Sequence, residues 1–304
     1  MIANALDLKG ETVLTHDKEH NSNHIKWVDM AKKGIINHKI VNTSNDNLFD
    51  IEDFENKISK DVKLVSFGHV SNLDGVAIPL KEIIKITHDN GAKILVDAAQ
   101  SVPHKGINVK KLGVDFLAFS GHKMLGPTGT GVLYVNEKNY DEMEGFVLGG
   151  ETVKDAKYGS FDFEEPPMKY EAGLQDYSGQ IGLAAASRYL SKIGMSSIAK
   201  QESKINKIMT EGLIDSVNMI GPRDHLLRSG IFNFNIGSMD PHIVAGMLDS
   251  SRNIAVRSGA HCVHSWFNKK HLQGSVRAST YFYNTEEEAE VFVDEVKKLI
   301  SLNK

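Results

Sequence analysis

Three short polar runs contain most of the residues in this chain that could do chemistry, and each follows an apolar stretch. The runs are 67–72 (FGHVSN), 96–100 (VDAAQ) and 119–123 (FSGHK). The apolar segments that lead into them, 63–66, 93–96 and 115–118, predict buried parallel strands. Polar residues at the carboxyl ends of parallel strands converge on one crevice, so we expect a ligand site there.

The residues predicted to share this crevice form a chemically specific set. They are Asn72, Asp97, Gln100, Ser120, His122 and Lys123. A lysine amine that can form a Schiff base, an acid for a ring nitrogen and neutral donors for a phosphate are what pyridoxal 5'-phosphate requires. The set therefore predicts this cofactor.

Two longer segments carry a family resemblance. Residues 94–101 (ILVDAAQS) and 119–131 (FSGHKMLGPTGTG) resemble the cofactor core of class V, fold-type I pyridoxal-phosphate enzymes. Within that class, the chain is most similar to the cysteine desulfurases of the SUF-type or NifS-like group, from about residue 10 to its end. The resemblance implies an α/β fold with a mostly parallel central sheet flanked by helices, followed by a smaller α+β domain.

The resemblance also assigns cofactor roles. Lys123 corresponds to the Schiff-base lysine, and Asp97 to the acid that keeps the pyridine nitrogen protonated. Gln100 corresponds to the residue that bonds the phenolic oxygen of the ring, and Ser120 and His122 to phosphate ligands. Taken alone, Lys123 could be a surface lysine and Asp97 a helix-capping acid.

Two further residues are matched to the cofactor site. His20, in 18–23 (KEHNSN), resembles the histidine that stacks on the pyridine ring, although a lone histidine there could equally be polar surface. Asn72 resembles a cofactor or substrate contact.

The only cysteine of the chain decides which reaction is expected. Cys262 lies in 256–262 (VRSGAHC), where Arg257 and His261 are basic neighbours that favour a thiolate. An isolated cysteine is more often a small buried hydrophobe. The loop nevertheless resembles the active loop of SUF-type desulfurases. Arg277 resembles the arginine that binds the substrate α-carboxylate, for which a bidentate guanidinium is suited, and Arg257 is a second candidate substrate contact.

The implied activity is the conversion of L-cysteine to L-alanine. The sulfur would pass to Cys262 as a persulfide, and then to an acceptor or scaffold protein for iron–sulfur cluster assembly or other delivery. Selenocysteine lyase acting on L-selenocysteine, or another class V lyase, epimerase or aminotransferase, is the alternative within the class. An inactive fragment of such an enzyme is a third hypothesis.

The third hypothesis depends on departures from the family pattern. Roughly the first quarter of the family, including a Gly/Thr-rich turn that binds the cofactor phosphate, has no counterpart here. Asn21 replaces a second histidine, and Leu174 replaces a threonine that reaches the phosphate of the neighbouring subunit. Val263 and the residues after it replace a small residue and a proline.

Bulk composition limits the partners. A formal net charge of −4 gives no reason to expect nucleic acid or an anionic membrane. No apolar stretch approaches the roughly 20 residues of a membrane span, and a single cysteine is typical of a reducing cytoplasm. We expect a cytoplasmic protein with no metal site, and the family resemblance implies a homodimer.

Other patterns predict the elements that position these residues. Residues 79–88 predict a crossover helix and 131–135 an antiparallel or edge strand. Two helices are expected over 181–190 and 196–213, a half-exposed strand over 231–236, and a last helix capped by Thr285. The change of pattern divides the chain into a large cofactor-binding α/β domain, 1–185, and a small α+β domain, 186–304.

Overall fold

A computed structural model describes residues 1–302 of the chain. The helices are α1 (Ile2–Ala5), α2 (Asn21–Lys32), α3 (Ile51–Lys57), α4 (Leu80–Asp89), α5 (Val109–Leu112), α6 (Tyr177–Ile193), α7 (Met195–Leu213), α8 (Pro241–Arg252), α9 (His264–Lys269) and α10 (Glu286–Leu302). The strands are β1 (Thr12–His16), β2 (Asn37–Val41), β3 (Val62–Gly68), β4 (Lys93–Asp97), β5 (Phe116–Ser120), β6 (Gly131–Val135), β7 (Val153–Lys157), β8 (Ser160–Phe163), β9 (Asn218–Ile220), β10 (Ile231–Asn235), β11 (Arg257–Gly259) and β12 (Ser275–Ser279). None of these helices is long and apolar enough to cross a membrane.

A six-stranded, mostly parallel sheet forms the centre of the fold. Its strand order is β2-β1-β3-β4-β5-β6. The first five strands in that order run parallel, whereas β6 pairs antiparallel with β5 at the edge, as predicted. Because β3, β4 and β5 are adjacent and parallel, the three polar runs that follow them lie at the same edge of the sheet.

The crossover between β3 and β4 shows why the parallel arrangement forms. Pro79 precedes α4, and the helix buries Leu80, Ile83 and Ile84 on one face, at the predicted spacing. These side chains pack in the same core as Ile94 of β4. Fully burying an aliphatic side chain stabilises the fold by about 1.5–3 kcal/mol, so this face fixes the helix on the sheet.

A second sheet, with order β11-β12-β10-β9, is antiparallel and packs against α7, α8 and α10. The predicted half-exposed strand over 231–236 is β10, and its predicted exposure is wrong. Asn233, on the face expected to meet solvent, is fully buried. Its side-chain nitrogen donates a hydrogen bond to the Leu73 carbonyl at 2.7 Å, so the polar face of the strand packs on the large sheet's loops.

The predicted helices at the C-terminal side of the chain are present as α6, α7 and α10. The Thr285 hydroxyl accepts a hydrogen bond from the Glu288 amide at 3.2 Å, which is the predicted capping contact of α10. Helix α6 runs without interruption through residue 185. The division into two domains at that point stays a prediction.

Candidate active site

A cavity of about 660 Å³ opens at the carboxyl ends of β3, β4 and β5. Its lining includes six of the predicted site residues: His20, Asn72, Asp97, Gln100, Ser120 and Lys123. A cavity of this size is typical of small-molecule and cofactor sites. The structure thus brings together residues as far apart in the chain as His20 and Lys123.

Lys123 lies on a short 3₁₀ turn, Gly121–Met124, directly after β5. Burial lowers the pKa of its amine below the ordinary lysine value, and the nearby charges of Asp97, Arg277 and Cys262 also act on it. Asp97 favours the protonated amine, whereas Arg277 disfavours it. A lysine with a lowered pKa has a larger fraction of nucleophilic free amine near neutral pH.

The glycine-rich segment after Lys123 folds tightly back on the turn that carries it. A side chain at Gly131 would place its Cβ 2.9 Å from the carbonyl oxygen of Phe119, and one at Gly126 would be equally close to the Gly121 carbonyl. Any larger residue would therefore push the backbone of the Lys123 turn out of position. These glycines set the place of the lysine.

Asp97 and His20 approach the cavity from two different elements. Asp97 is the last residue of β4, and its Oδ1 accepts a hydrogen bond from the Ala99 amide at 2.9 Å, which orients the carboxylate. His20 is the N-cap of α2 and accepts a hydrogen bond from the Ser22 amide at 3.1 Å. Burial lowers the pKa of His20, and the nearby Lys123 charge adds to this effect. The imidazole is therefore neutral near neutral pH.

The Cys262 thiol lies in a loop between β11 and α9. Its Sγ is 3.2 Å from Nη2 of Arg257, and the cysteine side chain is partly exposed. Arg257 and Arg277 are paired opposite each other on β11 and β12. Burial, followed by the charge of Arg257, lowers the pKa of Arg277 to about 10, so the guanidinium stays charged near neutral pH. The thiol thus has one guanidinium in contact and a second charged one on the neighbouring strand.

His122 is placed differently from the other predicted residues. It is exposed and does not line the cavity. Its predicted role as a phosphate ligand stays a prediction.

A group of buried polar residues that the sequence patterns did not reveal also lines the cavity. Glu19 is almost fully buried, with Oε1 3.1 Å from Nε2 of His16 and 2.8 Å from the Gly68 amide. Next to it, the buried ammonium of Lys18 bonds Asp74 at 2.8 Å. His16 ends β1, and Lys18 and Glu19 follow it, just as the three polar runs follow β3, β4 and β5. The same strand-end rule, applied to β1, would have identified them.

The His16–Glu19 pair predicts a specific dependence of stability on pH. Burial raises the pKa of Glu19 to about 8 and lowers that of His16 to about 4, from ordinary values of 4.5 and 6.5. The folded pair therefore keeps one proton up to about pH 8, whereas the unfolded chain loses it near pH 6.5. Because the folded state binds more protons in this window, the free energy of unfolding falls by about 2 kcal/mol as pH rises through it.

Urea unfolding of the wild type and of Glu19→Gln at about pH 5.5 and about pH 9, which bracket both titrations, would measure this contribution. The glutamine amide mimics the protonated acid of Glu19. We therefore expect Glu19→Gln to lose the part of the decline in the free energy of unfolding that comes from the His16–Glu19 pair. Glu211→Gln, at an exposed position, is the matched control and should keep the wild-type slope. A decline of the same size in the wild type and in Glu19→Gln would contradict the assignment.

Two of the positions that depart from the family pattern contact each other. Asn21 Nδ2 lies 2.9 Å from Nδ1 of His264, which belongs to the segment that follows Cys262. In addition, the Asn21 amide donates to the Cys262 carbonyl at 2.7 Å. Asn21 and His264 therefore lie in one contact between the segment that carries His20 and the loop that carries Cys262.

Comparisons with known proteins agree with one another. The family model described as aminotransferase class-V matches residues 1–292. A protein of Pyrococcus abyssi named "Probable cysteine desulfurase" is 42% identical over 294 residues, which cover 96% of this chain and 73% of that protein. The apo structure of a cysteine desulfurase from Thermococcus onnurineus NA1 superposes with a TM-score of 0.94 at 41% identity, covering 99% of this chain and 76% of that one. A cysteine desulfurase structure from Escherichia coli, described as S-sulfonic acid, gives a TM-score of 0.91 at 26% identity, over 99% and 76% of the two chains.

Proposed function

This chain belongs to the class-V aminotransferase family, and we propose that it acts as a pyridoxal-phosphate-dependent cysteine desulfurase. Its relatives at 33–42% identity carry that name over 94–97% of the chain. The observation that carries the proposal is a half-buried lysine and an acid that line one cavity, together with an arginine-paired thiol whose charge acts on that lysine. The charges of Asp97 and Cys262 both act on the pKa of the Lys123 amine, which supports a common site for the three groups.

The residues around the cavity fit pyridoxal phosphate by their chemistry. Lys123 supplies an amine for the aldehyde carbon, and Asp97 an oriented carboxylate for the ring nitrogen. Gln100 and the neutral imidazole of His20 would contact the ring, and Ser120 the phosphate end. When bound, the cofactor supplies an electron sink for the substrate α-carbon.

The protein's own residues then account for the sulfur transfer. Arg277 would bind the α-carboxylate of L-cysteine, and the Lys123 amine would take and carry the proton from Cα. The Cys262 thiolate attacks the substrate sulfur, so that an S–S bond forms as the Cβ–S bond breaks. The electron pair of the broken bond stays with the carbon skeleton, which gains a proton and leaves as L-alanine. Cys262 is left as a persulfide.

Arg257 supports this step because its guanidinium lies 3.2 Å from the attacking sulfur. A charge-assisted hydrogen bond of this kind would hold the sulfur in position for the attack. The partly exposed loop would then present the persulfide to an acceptor or scaffold protein. We also propose a cytoplasmic location, because a reducing compartment preserves a free thiol.

Purified protein supplied with pyridoxal phosphate and L-cysteine should form L-alanine, and protein-bound sulfur should appear at Cys262. Parallel assays with L-selenocysteine would distinguish a lyase for that substrate, since faster turnover of selenocysteine without persulfide formation would replace the proposed reaction. A protein that stays colourless with added cofactor would instead favour the inactive-fragment hypothesis.

We also propose that the active protein is a homodimer. An exposed apolar surface comprises Leu148, Tyr158, Phe161, Leu174 and Ile181, on and around the β7–β8 hairpin and the start of α6. Large exposed apolar patches mark association sites, and a two-fold pair is the commonest assembly of soluble chains. Static light scattering should give twice the mass of one 33.6 kDa chain. A monodisperse monomer would contradict the proposal.

A further inference from the structure

The loop that carries the thiol contains two consecutive residues in the left-handed region. The φ angles are 50° at His261 and 61° at Cys262. Neither residue is glycine, and side chains with a Cβ disfavour this conformation. Such a backbone persists only when surrounding contacts hold it, and backbones of this kind concentrate at functional sites. The contacts that hold this loop therefore determine where the sulfur lies.

Two hydrogen bonds from the large-sheet side hold the two carbonyls of this pair. Asn72 Nδ2 donates to the His261 carbonyl at 2.7 Å. The backbone N–H of Asn21 donates to the Cys262 carbonyl, also at 2.7 Å. Asn72 is buried at the end of the run that follows β3, 189 residues away along the chain from His261. The loop of the small sheet is thus fixed to the strand ends that form the cavity.

Asn72 makes a second contact that reaches the substrate side. Its own backbone carbonyl accepts a hydrogen bond from Nη1 of Arg277 at 2.8 Å. One residue therefore connects the candidate carboxylate-binding arginine with the thiol loop. In a substrate bound between them, Arg277 would place the carboxylate and Cys262 would meet the sulfur. Asn72 contacts both Arg277 and the loop that carries Cys262.

We propose that Asn72 is a positioning residue, which sets the Cys262 sulfur relative to the substrate held by Arg277. This inference rests on the proposed desulfurase function. Asn72 lines the cavity, and one of the two N–H groups of its side-chain nitrogen bonds the loop. Its effect on the position of the Cys262 sulfur is exerted through this bond.

Asn72→Ala tests the inference, with Asn206→Ala as the matched control. Asn206 is also fully buried and donates to two backbone carbonyls, those of Arg228 and Ser229, away from the loop. Both variants lose a buried amide and its hydrogen bonds. Only Asn72→Ala should disturb the thiol loop, so the comparison separates positioning from general stability.

We expect kcat for alanine formation to fall about 100-fold in Asn72→Ala, because displacing a reacting atom by about 1 Å has an effect of this order. KM should change by less than about threefold, since the carbonyl that binds Arg277 is a backbone group and is retained. Amide hydrogen exchange in residues 257–263, measured without cofactor, should accelerate in Asn72→Ala and stay at the wild-type rate in Asn206→Ala.

Unchanged exchange in this segment, or the same loss of kcat in both variants, would overturn the inference. A rise in KM with kcat preserved would also overturn it, because Asn72 would then act on Arg277 alone. If Asn72→Ala does not fold, Asn72→Ser, whose hydroxyl is too short to replace the amide, is compared in the same way. Failure of the wild type to form alanine would refute the proposed function, while the exchange comparison would still decide whether Asn72 holds the loop.

Discussion

Lys123→Ala is expected to abolish turnover of L-cysteine and the visible colour of the cofactor-loaded protein. Among the residues that the structure describes, the lysines that line the cavity are Lys18 and Lys123. Lys18 is ion-paired with Asp74, so the Lys123 amine is the one expected to bond the cofactor. Without Lys123, the protein lacks the amine that would bond the cofactor and carry the substrate proton. We therefore expect a decrease in kcat of about 10⁴-fold or more. Alanine formation and the absorption near the violet edge of the visible spectrum are the two measurements.

Lys85→Ala is a suitable control for this experiment. Lys85 is exposed on α4, where its ammonium pairs with the Asp89 carboxylate at 2.6 Å. It does not line the cavity. Such surface pairs contribute little to stability. The control should keep both colour and activity. Full turnover in Lys123→Ala would show that another amine bonds the cofactor and would refute the assignment.

Cys262→Ser is expected to lose sulfur transfer while it keeps the cofactor colour. A hydroxyl in place of the thiol preserves the shape of the loop, but it cannot accept sulfur from the substrate. We expect alanine formation to fall by about 10³-fold or more, since the nucleophile of the sulfur step is removed. Persulfide on the protein should be undetectable, because Cys262 is the only cysteine in the chain.

Retained colour is the internal control of the Cys262→Ser experiment, since it shows that the Lys123 side of the site is intact. Cys262→Ala should behave in the same way, which excludes an effect of the introduced hydroxyl. A variant that forms alanine from cysteine at the wild-type rate would show that sulfur leaves without this thiol. A lyase reaction would then replace the persulfide mechanism.

The sequence predicted the strand ends well because local patterns determine them. The apolar runs before Asp97 and Lys123 are strands whose residues are buried or half-buried, and the parallel arrangement alone places the polar residues that follow at one edge of the sheet. The antiparallel or edge strand predicted over 131–135 is likewise present as β6, which pairs with β5.

Other features depend on contacts between distant segments, which spacing does not encode. The alternation in β10 predicted an exposed face, but Asn233 is buried because it bonds the Leu73 carbonyl. The Cys262 loop was identified by resemblance, whereas its attachment to Asn72 and Asn21 appears only in three dimensions. Glu19 was missed because the rule used for the other strands was not applied to β1.

Because the chain has a single thiol, oxidation of Cys262 should inactivate that chain completely, whereas a chain with its thiol intact should keep full activity. With one cysteine, there is no second thiol to form an intrachain disulfide that would protect Cys262 or restore it by exchange. Under a mild oxidant, remaining activity should decline in direct proportion to the remaining free thiol. Recovery would then depend entirely on external reductants, so the supply of small thiols around the protein would set its working lifetime.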